Sequence, residues 1–122
     1  MESHILIVED DPALRESLRQ TLEEGGYAAR TADTGAAAFD ALGAGQRPCL
    51  ILLDLAMPGM DGWTFLQQAR RQPAMAGIPI VVLSGRLLGP ARDSALPADG
   101  YIRKPVRAEE LLAQVARYCG AR

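Results

Sequence analysis

The chain has 122 residues, is 48% hydrophobic and 23% charged, and carries a formal net charge of −2. That length and balance fit one globular domain over residues 1–122, with enough chain to bury a core. The absence of a basic block argues against nucleic-acid binding by phosphate neutralisation, and no run reaches the roughly 18 apolar residues of a membrane span.

Glu2 and His4 stand where a basic leader would begin, and Glu9-Asp10-Asp11 interrupts the first apolar run, so no signal peptide is expected. Met1 directly before that run fits a native start. The two cysteines, Cys49 and Cys119, lack metal-ligand spacing. They read as reduced, buried or half-buried thiols in a cytoplasmic protein.

The first strand is expected over His4–Val8, because an unbroken apolar run suits a strand buried on both faces. Asp11 then fits an N-cap, with Pro12 at the first helical position. Leu14, Leu18 and Leu22 form one apolar stripe, and Gly25-Gly26 ends that helix. Tyr27–Thr31 reads as a short second strand. Asp33 or Thr34 caps a second helix through Ala36, Phe39 and Leu42, which Gly43 and Gly45 stop.

The third strand is expected over Cys49–Asp54. The turn pairs Pro58-Gly59 and Asp61-Gly62 make Leu55–Gly62 a loop. A third helix carries Trp63, Leu66, Ala69 and Arg70, with Trp63 as a packing residue. Ile80–Leu83 is the fourth strand. Gly89, Pro90 and Pro97 leave room only for a short helix near Ala91–Ala95. A fifth strand at Gly100–Arg103 and a last helix over Ala108–Tyr118, facing inward through Leu111, Leu112 and Val115, complete the chain. Strands alternating with helices predict an α/β, flavodoxin-like, doubly wound (βα)5 fold around a parallel sheet of order 2-1-3-4-5.

Each of four apolar runs ends in a reactive group. These are Glu9-Asp10 after the first strand, Asp54 after the third, Ser84 after the fourth and Lys104-Pro105 after the fifth. Ligands of open parallel sheets lie beyond the carboxyl ends of the strands, at the switch in strand order. That switch separates strands one and three, which end in the acids. Two carboxylates ~5 Å apart repel by roughly 3 kcal/mol at an effective dielectric near 20, and a divalent cation relieves that repulsion. Oxygen ligands select a hard ion, Mg2+ first, with Mn2+ as the alternative. Lys104 and Ser84 suit the oxygens of a phosphoryl group. Asp54, ending the central strand, is the natural nucleophile for an acyl phosphate.

Glu9-Asp10, Leu53-Asp54 with Met57-Pro58-Gly59-Met60-Asp61-Gly62, Leu83-Ser84 and Tyr101-Ile102-Arg103-Lys104-Pro105 resemble the receiver domain of bacterial two-component response regulators. The resemblance covers nearly the whole chain. It implies that Asp54 is phosphorylated by a sensor histidine kinase or histidine phosphotransfer protein. It implies metal ligands at Asp10, Asp54 and the Ala56 carbonyl, with Glu9 reaching the ion through water. Ser84 and Lys104 would hold the phosphoryl group, Ser84 and Tyr101 would act as the switch, and Lys104-Pro105 would be cis. Ala56 and Arg86 would tune the phosphoryl lifetime. The chain would act as a monomer or weak dimer on an unidentified downstream protein, with no nucleic-acid or membrane partner. Pro90 and Pro97 stand where the family has its fourth helix, a departure from its output face.

Two other classes compete. A magnesium phosphatase with an aspartyl intermediate typically has a second aspartate two residues after the nucleophile, where this chain has Ala56. A phosphorylation-independent adaptor of the same fold, or a receiver fragment of a larger hybrid kinase or regulator, would show the same fold signals.

Overall fold

The computed structural model describes residues 4–43, 47–54, 62–73, 75–85 and 98–120. Five strands, β1 (His4–Val8), β2 (Ala28–Ala32), β3 (Leu50–Asp54), β4 (Ile80–Ser84) and β5 (Gly100–Arg103), form one sheet. All pairings are parallel, in the order β2-β1-β3-β4-β5. The described helices are α1 (Pro12–Glu24), α2 (Gly35–Gly43), α3 (Gly62–Arg71) and α4 (Ala108–Cys119). The short helix expected near Ala91–Ala95 lies outside the described residues.

The apolar runs are strands because the sheet is covered on both faces. Leu6, Val8, Ile51, Leu53, Ile80 and Val82 pack on one face with Ala38, Phe65, Leu66 and Ala69. Ile5, Ile7, Leu50, Leu52, Val81, Leu83 and Ile102 pack on the other with Leu18, Leu22, Leu111 and Val115. Alternate residues of each strand feed opposite cores, as the two-residue period requires.

Local chemistry sets the helix ends. The Ala13 amide donates to Asp11 Oδ1 at 3.0 Å, with Pro12 beginning α1. Gly26, at φ 92°, turns the chain out of α1. Thr34 rather than Asp33 caps α2, taking the Ala37 amide on Oγ1 at 3.0 Å. The second strand runs one residue later than its sequence suggests. Tyr27 is buried ahead of it and donates from Oη to the Gly120 carbonyl at 2.8 Å.

One expectation is overturned. Cys49 and Cys119 are not reduced thiols but are joined in a disulfide, with Cα atoms 5.5 Å apart. The bond ties the segment before β3 to the last turn of α4. The thiol reading weighed each cysteine in its own stretch, and the partners lie 70 residues apart.

Candidate functional site

The strand registers assemble the site. Val8 pairs with Leu53, so one step further Glu9 comes beside Asp54. Asp54 pairs with Leu83, and Ser84 pairs with Arg103, which places Lys104 just beyond. The Lys104 amide donates to the Ser84 carbonyl at 2.8 Å, fastening the ends of β4 and β5 together. The Glu9 amide donates to the Ala32 carbonyl at 3.0 Å. Lys104-Pro105 is cis.

Glu9, Asp10 and Asp54 each bring a carboxylate oxygen within 4.8 Å of the others. Glu9 and Asp54 are buried, while Asp10 is half-buried. Lys104 Nζ stands 3.2 Å from Asp54 Oδ1 and 3.6 Å from Glu9 Oε1. The first distance makes a close ion pair, whereas the second is beyond hydrogen-bond reach.

Glu9 carries the electrostatic burden. It has no solvent exposure, and neither carboxylate oxygen has a hydrogen-bond partner. Burial above all pushes its pKa up to about 8, assisted by the close Asp54 carboxylate and its charge. The Lys104 charge pulls the other way without overcoming burial. Buried polar atoms are nearly always satisfied, so an orphan carboxylate beside two more acids fits a hard cation and its waters. Oxygen donors of this kind match Mg2+.

The remaining expected residues are placed as follows. Ser84 ends β4, half-buried, at the same edge. Tyr101 is 40% exposed on β5. Ala56 and Arg86 lie outside the described residues. His4 is buried on β1, an inner strand between β2 and β3, and its pKa is lowered first by burial and then by Arg30.

Two features were not read from the sequence. Arg15 of α1 donates to the Glu9 carbonyl at 3.1 Å and so braces the loop that presents the acids. Its only sequence signal is its place one turn past the Asp11 cap. Beside Lys104, a groove of about 340 Å³ is lined by Arg103, Lys104, Pro105, Arg107 and Glu110. Its cations become neighbours only through the turn between β5 and α4.

Residues 5–116 match the family model of the response regulator receiver domain. The chain belongs to this family. Response regulator MprA of Mycobacterium sp. (strain KMS) is 40% identical over 117 residues, covering 94% of this chain and 50% of that protein. This receiver domain thus spans about half the length of the curated relatives it matches. Chemotaxis protein CheY4 of Vibrio cholerae superposes with TM-score 0.87 at 29% identity, covering 97% of this chain and 99% of that one. The receiver domain of sensor histidine kinase PA1611 from Pseudomonas aeruginosa PAO1 gives TM-score 0.87 at 27% identity, covering 99% of this chain and 100% of that one. That structure holds a magnesium ion coordinated in its active-site cleft. The family is one of signalling domains. Among the described residues no helix is long and apolar enough to cross a membrane.

Proposed function

We propose that this receiver domain is a Mg2+-dependent phosphoacceptor switch, with Asp54 as the residue that takes the phosphoryl group. The observation that carries the reading is the setting of Asp54. It is buried at the end of β3, 3.2 Å from Lys104 and clustered with Glu9 and Asp10. The donor is the phosphohistidine of a sensor kinase or phosphotransfer protein, the compartment is the cytoplasm, and the output is a changed affinity for a downstream protein.

In the transfer, an Asp54 carboxylate oxygen forms a bond to phosphorus as the donor's P–N bond breaks. The electrons of that bond leave with the imidazole nitrogen, which takes up a proton. Lys104, 3.2 Å from Asp54, would hold a phosphoryl oxygen as a point charge. Ser84, at the end of the adjacent strand, supplies a hydroxyl donor. Glu9, Asp10 and Asp54 would hold the cation, which when bound neutralises charge on both the acids and the phosphoryl oxygens. Burial keeps bulk water from Asp54, favouring transfer over hydrolysis of the donor. The groove with Arg103 and Arg107 gives an acidic donor surface a place to approach Lys104. Tyr101, exposed on β5 and paired with Val82 two residues before Ser84, would act with Ser84 as the switch.

Incubating the chain with acetyl phosphate and Mg2+, then weighing it intact, tests the reading. One added phosphate is expected on the wild type and none on Asp54→Asn. An unmodified wild-type mass would overturn it. Partner binding indifferent to both treatments would favour the adaptor instead.

A further inference from the structure

Residues Leu50–Asp54 of β3 carry Asp54 at one end, and at the other end Cys49 is bonded to Cys119. Five residues of strand separate the two chemistries by about 17 Å. Both cysteines are half-buried at the margin of the core that holds Leu50, Leu111 and Val115, not sealed within it. The end of α4 is also held by contacts that need no sulfur. Tyr27 Oη donates to the Gly120 carbonyl at 2.8 Å, Tyr118 Oη donates to the Asp99 carbonyl at 3.0 Å, and Leu111 and Val115 are buried. These contacts hold the helix docked when the disulfide is open, and the last turn is the part that the bond itself fastens.

A receiver served by a kinase works in a reducing compartment, where disulfides are uncommon and those that form are mostly transient. We propose that Cys49 and Cys119 form a reversible thiol–disulfide modification site that exchanges with low-molecular-weight disulfides of the glutathione type and so fastens or frees the last turn of α4. Its expected compartment rests on the phosphoacceptor reading, but its chemistry does not.

The exchange proceeds in two displacements. One cysteine thiolate attacks a sulfur of the small disulfide and expels one small thiolate, leaving a mixed disulfide. The second cysteine attacks the protein sulfur of that intermediate, forms the Cys49–Cys119 bond and expels the second small thiol. Two protein thiols lose two electrons, one small disulfide gains them, and the two protons end on the departing thiols.

The test equilibrates the folded 122-residue chain across a series of reduced-to-oxidised glutathione ratios. Alkylation and intact mass then count the thiols. The expected result is a single transition from no alkyl groups to two, with an unchanged circular dichroism spectrum. Amide exchange in residues 116–120, which open locally, should be about tenfold faster in the reduced form. The double variant Cys49→Ser/Cys119→Ser should show the fast exchange at every ratio. Two alkyl groups at every ratio would mean that no bond forms, and none at every ratio until denaturant is added would mean a permanent staple. Either result overturns the proposal. Acetyl phosphate labelling of the same samples reports separately on Asp54: absent labelling in both redox states would sink the phosphoacceptor reading without altering the thiol count.

Discussion

The two ends of this sheet differ in how their carboxylates are satisfied, although His4 Nδ1 at the start of β1 is also buried without a hydrogen-bond partner. At the end where the strands start, Asp99 Oδ2 accepts from Arg70 at 2.7 Å and from the Ile80 amide at 2.8 Å. Arg70 also donates to the Ile78 carbonyl at 3.1 Å, and the Cys49–Cys119 bond lies on the same side. At the end where the strands finish, the fully buried Glu9 has two orphan oxygens beside Asp54 and Asp10. The same β1, β3 and β4 run through both ends. One end supplies stability, and the other holds a repulsion that a cation can relieve, so the site's strain is offset within a single sheet.

The largest expected effect is at the quiet end. Replacing both cysteines by serine removes a cross-link between residues 70 apart. The chain-entropy account then predicts a loss of up to about 4 kcal/mol. A lower urea midpoint should appear with Asp54 phosphorylation unchanged, and an unmoved midpoint would remove the disulfide from the comparison. Asp99→Ala comes next. It breaks the Arg70 pair and frees the Ile80 amide, at a cost of about 2 kcal/mol. Acetyl phosphate labelling should again be unaffected, and a labelling defect would show that the two ends are coupled.

At the reactive end the sign reverses. With the Glu9 pKa raised from 4.5 to about 8, the folded state without divalent ions keeps a proton that the unfolded state has released across that window. Stability should therefore fall as pH rises from about 4.5 to about 8, by up to a few kcal/mol. Glu9→Gln should flatten that slope and raise stability near the upper limit. A slope unchanged in Glu9→Gln would place the titration elsewhere. Arg107→Ala should have the smallest effect, within about 0.5 kcal/mol on stability. It should leave labelling by acetyl phosphate intact and slow transfer from a protein donor, and equal rates from both donors would remove the groove from the account.

Much of the fold is legible because parallel strands buried on both faces must be apolar throughout. His4–Val8 and Gly100–Arg103 match the sequence reading at both boundaries. The reactive edge is legible for the same reason, since Glu9-Asp10 and Asp54 break off apolar runs abruptly. What escaped depends on contacts between distant segments. Tyr27 looks like a strand residue, yet its hydroxyl reaches Gly120, 93 residues away. Phe65 carries no special signal in its helix but is fully buried, with its ring 4.8 Å from that of Phe39. Asp99 reads as a loop residue until β4 and β5 bring Ile80 and Arg70 to it. The disulfide was misread for the same reason: nothing within either cysteine's own stretch points to the other.

The most direct test is thermal melting near pH 8 with increasing Mg2+, in wild type and in Glu9→Gln. Stabilisation by mass action, worth about 2.7 kcal/mol at a hundred times Kd, should raise the wild-type Tm steadily. The Glu9→Gln protein should start higher and respond less. A wild-type Tm that stays flat through millimolar Mg2+, or an equal response in the two proteins, would contradict the claim that the buried acids await a cation.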